Sequence, residues 1–235
     1  MPEREIKALI VDFGGVVLDM GWHAMSDIEK KYSMKPGSLR HALWGHDSWR
    51  ERQVGLGSLE AYQAAVQAEL DAAAGRAVPE ALADWWAYRR ALNEDLLTLL
   101  ARLRGQYRIG LLSNADELLE GRLQEDLKIF DRFDDVVNSA RVGMAKPDPR
   151  IYALAAERLG VEPAEAVFVD DLEPNIEAAR AAGMHAIYFL GDNAALFAEL
   201  HALGVPVEEH ELGAAPFYEM PAEWKAAQAV SDLSA

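Results

Sequence analysis

The chain has 235 residues, 51% hydrophobic and 26% charged, with a formal net charge of −16 and no cysteine. That length and composition build one good core plus a smaller lobe. They exclude disulfides, thiolate metal sites and thiol nucleophiles, and the acidic balance excludes the basic surface that non-specific nucleic-acid binding needs. No apolar run is long enough to cross a bilayer, and residues 1–5 carry no secretory apolar segment, so a cytoplasmic protein without membrane partners is expected.

In chain order, residues 6–11 form an almost unbroken apolar run, read as a buried parallel strand, and it ends in Asp12-Phe13-Gly14-Gly15. Residues 19–90 hold no convincing strand. Helical spacing recurs there at 58–66 and 79–86, which predicts a helical lobe inserted after the first strand. From residue 91 helices and strands alternate. Helices are expected at 93–104, 116–127, from Asp148, at 174–182 and at 194–203, and strands at 107–112, 136–137, 166–169 and 185–189. The order β-α-β-α predicts an α/β fold with a Rossmann-like parallel sheet. The expected organisation is a core of residues 1–18 and 91–204, an all-helical cap at 19–90 and an acidic tail at 205–235 with a short helix near Trp224.

Parallel strands place their C-terminal ends on one sheet edge, where open α/β sheets hold ligands. Asp12, Ser113-Asn114, Lys146 and Asp170-Asp171 all fall at or just after predicted strand ends. Three converging carboxylates repel unless a cation neutralises them, and a hard divalent ion such as Mg²⁺ suits oxygen ligands. The Gly14 carbonyl is a further candidate ligand, because glycine lets the backbone approach closely. Lys146 offers a point charge to a phosphoryl group, and Ser113 with Asn114 offers hydrogen-bond donors to its oxygens.

Four segments in this order, Asp12-Phe13-Gly14-Gly15-Val16, Leu111-Leu112-Ser113-Asn114, Lys146-Pro147-Asp148-Pro149 and Val169-Asp170-Asp171, resemble the motifs of the haloacid dehalogenase (HAD) superfamily. The resemblance covers residues 6–189 and is to phosphatase-type, sugar-phosphatase-like members with a cap after the first core strand. It implies hydrolysis of a small phosphomonoester metabolite, a sugar phosphate being the favoured class, with Asp12 as nucleophile and an aspartyl-phosphate intermediate. It further implies Mg²⁺ on Asp12, the Gly14 carbonyl and Asp171, with Asp170 acting mainly through water. Ser113, Asn114 and Lys146 would then bind phosphate, and Asn175 would support the site. A monomer or homodimer is expected.

The sequence departs from the family two positions after the nucleophile, where Gly14 replaces the usual acid/base Asp. General acid–base help is worth roughly 10²–10⁴-fold, so slow turnover is expected unless Asp19 or His23 supplies the proton. In the cap, Trp44, His46 and Arg50 mix aromatic, imidazole and cationic groups and are candidate substrate contacts. Two other readings stand beside this one. A 2-haloacid dehalogenase also lacks the second Asp, although it gains nothing from Asp170-Asp171. A non-catalytic relative would bind a phosphorylated ligand or a partner protein.

Overall fold

The computed structural model describes residues 5–219. Its centre is a sheet of five parallel strands in the order β3 (Asp135–Asn138), β2 (Arg108–Ser113), β1 (Ala8–Val11), β4 (Ala166–Asp170), β5 (His185–Tyr188). β1 (Ala8–Val11) leads into five helices, α1 (Trp22–Lys31), α2 (Ser38–Trp44), α3 (Asp47–Arg52), α4 (Leu59–Ala74) and α5 (Pro79–Ala87). The chain then alternates through α6 (Glu94–Leu103), β2 (Arg108–Ser113), α7 (Leu119–Gly121), β3 (Asp135–Asn138), α8 (Ser139–Val142) and α9 (Pro149–Leu159). β4 (Ala166–Asp170), α10 (Glu173–Ala181), β5 (His185–Tyr188) and α11 (Asn193–Ala202) complete it. This is the Rossmann-like α/β core read from the sequence.

Both sheet faces are covered, which explains why β1 and β4 read as continuous apolar runs. Leu9 and Val11 pack on one face with the leucines of α6 and with Phe197 and Leu200 of α11. Ala8 and Ile10 pack on the other with α9 and α10, through Ile151, Tyr152 and Ile176. Helices α1–α5 enclose a separate core around Met25, Leu39, Leu43, Val66, Leu70 and Trp85. The two crossings between lobe and sheet lie side by side: Leu18 bridges Leu92, and Asp19 N–H donates to Ala91 O at 2.9 Å. Asn93 fixes this base, donating to Val16 O and exchanging hydrogen bonds with Asn193 at 2.9 and 3.0 Å.

The expected helix at 116–127 is present over 119–126, with its start and its second half corrected. The Asp116 carboxylate accepts from Leu118 N–H, closing an Asx turn where the helix was to begin. Leu119–Gly121 is α-helical, and Arg122–Asp126 continues it as a π-helix. The described part of the tail lies against the core: Val205 is buried, and Phe217 N–H donates to Gly191 O at 2.7 Å. The expected helix near Trp224 lies outside the described residues.

Candidate active site

The ends of three adjacent strands build the site. Asp12 follows β1 and its N–H donates to Val169 O of β4, Ser113 ends β2, and Asp170 ends β4 with Asp171 next. Asp12, Asp170 and Asp171 are all buried, and one oxygen from each falls within 4.8 Å of the others. Lys146 reaches in from the loop before α9. Its Nζ lies 2.8 Å from Asp12 Oδ1 and 2.6 Å from Asp170 Oδ2, and it donates to Leu112 O at 3.2 Å.

Four buried charges this close set one another's protonation. Burial alone would depress the Lys146 ammonium, but Asp12 and Asp170 outweigh it and hold the pKa above its ordinary value. Burial pushes the Asp12 carboxyl up to about 6, against the pull of Lys146 and with the push of Asp170. Burial, Asp170 and Asp12 push Asp171 well above the carboxylate range. One lysine is therefore too little positive charge for three carboxylates.

The donor set fits a hard divalent cation. Asp12 Oδ1, although ion-paired, is a buried oxygen with no aligned hydrogen-bond donor among the described residues. Asp171 makes no ion pair with Lys146 and faces the same cavity as Asp12 and the Gly14 backbone. Gly15 is indispensable to this packing: its φ is +81°, and a Cβ there would overlap the Asp171 carboxylate.

Two expected site residues also hold Lys146. Asp170 spends both oxygens, on Lys146 and Asn175 Nδ2 through Oδ2 and on Leu172 N–H and Asn175 through Oδ1. Asn114 holds the Lys146 backbone reciprocally, donating to its carbonyl at 2.9 Å and accepting from its N–H at 2.8 Å. Ser113 is buried, and its hydroxyl has no hydrogen-bond partner among the described residues while facing the cavity. The Asn175 amide clamps Asp170 from α10.

A cavity of about 330 Å³ opens above these groups, and the helical lobe closes it with Trp44, Trp49, Arg40, Arg50 and Gln53. Trp44 and Arg50 thus line the cavity, and Arg50 pairs with Asp47 at 2.8 Å. His46 does not line the cavity; its ring stacks on Tyr62 and bonds Ser48 Oγ at 2.5 Å. Arg40 escaped sequence reading. It lies four residues before Trp44 on α2, a spacing that shares one helix face, and it has no carboxylate partner among the described residues. Neither Asp19 nor His23 lines the cavity; Asp19 accepts from Gly21 N–H. Met20 does line it, and its Sδ stands 2.8 Å from where a Cβ on Gly14 would lie.

The haloacid dehalogenase-like hydrolase family matches residues 6–183. The chain belongs to that family. It is 27% identical over 190 residues to the phosphatase MT3486 of Mycobacterium tuberculosis, covering 77% of this chain and 86% of that one. The HAD family enzyme BT-2542 of Bacteroides thetaiotaomicron superposes with a TM-score of 0.61 at 25% identity, over 79% of this chain and 94% of the other. That enzyme has also been solved with magnesium and inorganic phosphate. L-2-haloacid dehalogenase from Xanthobacter autotrophicus shares the fold at 23% identity and a TM-score of 0.57, over 91% and 89% of the two chains. This HAD-like hydrolase is an enzyme with phosphatase-named relatives, and among its described residues no helix is long and apolar enough to cross a membrane.

Proposed function

We propose that this HAD-like hydrolase is a Mg²⁺-dependent phosphomonoesterase that acts through an aspartyl phosphate on Asp12. The observation that carries the reading is the buried cluster of Asp12, Asp170 and Asp171 around a single lysine. Asp12, Asp171 and the Gly14 carbonyl would hold Mg²⁺, which supplies charge neutralisation for the bound phosphate and the carboxylates.

An Asp12 carboxylate oxygen attacks phosphorus, the P–O ester bond breaks, and the alkoxide leaves with the bonding electron pair. Lys146, pinned by Asp170 and Asn114, offsets negative charge on the transferring group. The Ser113 hydroxyl donates to a phosphoryl oxygen. With Met20 against Gly14 and no carboxylate there, water supplies the leaving group's proton, and a second water cleaves the acyl phosphate to regenerate Asp12. This arrangement favours substrates whose alkoxide is a good leaving group.

Asp170-Asp171 argue against the dehalogenase reading, since a carboxylate substrate gains nothing from added anions beside the nucleophile. Phosphate release from a panel of phosphomonoesters tests the proposal. Release that needs Mg²⁺ and stops in Asp12→Asn is expected. Turnover surviving that substitution, or halide release from 2-chloropropionate in EDTA, overturns it.

A further inference from the structure

A second cavity, of about 600 Å³, adjoins the first and shares Gly14, Met20, Trp44, Trp49, Ser113 and Asn114 with it. Asp12, Lys146 and Asp171 line only the smaller space, while Arg89, Arg90 and Arg122 line only the larger. The shared residues therefore form a neck between a phosphate end and a remote chamber.

The chamber's wall is aromatic. Trp44, Trp49, Tyr62, Trp85, Trp86 and Tyr88 line it, with aliphatic Leu18, Leu43 and Leu119. Its tyrosine hydroxyls are already used: Tyr62 donates to Leu43 O at 3.0 Å, and Tyr88 faces Asp19 at 3.5 Å. Apart from its arginines and acids, the wall offers a sugar's hydroxyls few neutral side-chain partners. An apolar body would bury against rings, in a volume typical of small-molecule pockets.

The chamber also carries a cationic surplus in a chain whose net charge is −16. Three arginines share its lining with Asp116 and Asp126, and Arg122 is already paired with Asp116 at 3.1 Å. Arg90 is partly buried, stacks on the Trp85 ring at 4.1 Å and pairs with no carboxylate among the described residues. Burial and the neighbouring Arg122 lower its pKa, a destabilisation that a bound anion would relieve.

Resting on the phosphatase reading, the geometry points to a specific substrate class: a phosphomonoester whose leaving group has an aromatic or apolar body and carries an anionic group held by Arg90. This proposal departs from the sugar phosphates favoured from sequence, and the comparison with glucose 6-phosphate decides between the two.

The test compares kcat/KM for phenyl phosphate, 4-carboxyphenyl phosphate, 6-carboxy-2-naphthyl phosphate and glucose 6-phosphate, in wild type and in Arg90→Met. A carboxylated aryl phosphate should exceed both phenyl phosphate and glucose 6-phosphate by about tenfold or more, the scale of one charge-assisted hydrogen bond. Arg90→Met should erase the carboxylate's advantage, read as the ratio of kcat/KM for 4-carboxyphenyl phosphate to that for phenyl phosphate falling to about one. Equal or better turnover of glucose 6-phosphate overturns the inference, as does an undiminished carboxylate advantage in Arg90→Met. Binding of 6-carboxy-2-naphthylphosphonate, read by tryptophan quenching, separates the two proposals. Binding that weakens in Arg90→Met without turnover of any ester overturns the catalytic reading alone. Turnover of esters without such binding overturns the substrate class alone.

Discussion

Met20 occupies the space that a side chain on Gly14 would need, with its Sδ 2.8 Å from the position of a Cβ there. The missing carboxylate is thus replaced by a thioether rather than by open space. Installing an acid therefore takes two changes. Gly14→Asp alone is expected to raise kcat little, because the new carboxyl competes with Met20. Gly14→Asp with Met20→Ala is expected to raise kcat on esters of poor leaving groups by about tenfold or more, within the range of general acid catalysis. Steady-state kinetics on alkyl and aryl phosphates checks this, and a double variant no faster than wild type would refute it.

The buried carboxylates make the metal-free protein sensitive to pH. Asp12 titrates at about 6 in the fold, against 3.8 as its ordinary value. Between those values the native state binds more protons than the unfolded chain, so stability falls as pH rises from about 4 to about 6 and stays reduced above. Asp171, raised well above the carboxylate range, extends the fall to higher pH. Asp12→Asn should flatten the profile, and millimolar Mg²⁺ should raise the wild-type melting temperature most above pH 6. Thermal melts in EDTA and in Mg²⁺ across this range measure both effects.

Gly15→Ala should damage the metal site without touching a ligand. The φ of +81° strains any other residue, and the added methyl group displaces the Asp171 carboxylate. Loss of Mg²⁺-induced thermal stabilisation is expected, together with a fold loss of about 1–3 kcal/mol in the metal-free protein. Unchanged Mg²⁺ stabilisation would show that Asp171 is not a ligand.

Arg52 ties the helical lobe to the core. Its side chain is 1% exposed, pairs with Glu117 at 2.7 Å and lies 3.5 Å from Asp116. Arg52→Ala removes a buried cation and its packing over Tyr62, and should cost about 3 kcal/mol in urea unfolding. Faster proteolysis within the lobe should accompany it. A loss below about 0.5 kcal/mol would make this an ordinary surface pair.

The sequence carried the sheet and the placement of its chemistry. The run ending at Asp12, the run ending at Asp170 and the strand ending at Ser113 all lie where the apolar pattern put them. A buried parallel strand is a local signal, and its C-terminal end is fixed once its direction is known. The helix expected at 116–127 starts three residues late, where the Asp116 side chain caps a turn with Leu118 N–H, and its second half is π-helical, with Arg122 pairing back to that same carboxylate. Composition does not reveal such competition.

What the sequence alone determined was the α/β core and the residue types at one sheet edge, because both follow from local periodicity and parallel order. Only the tertiary structure decided their division of labour. Asn114 and Asp170 serve Lys146, His46 turns to Tyr62, Met20 fills the space beside Gly14, and Arg40 and Arg90 enter the cavities. Each of these choices depends on partners far apart in sequence and competing for one small volume. Packing resolves that competition, and no single stretch of sequence contains it.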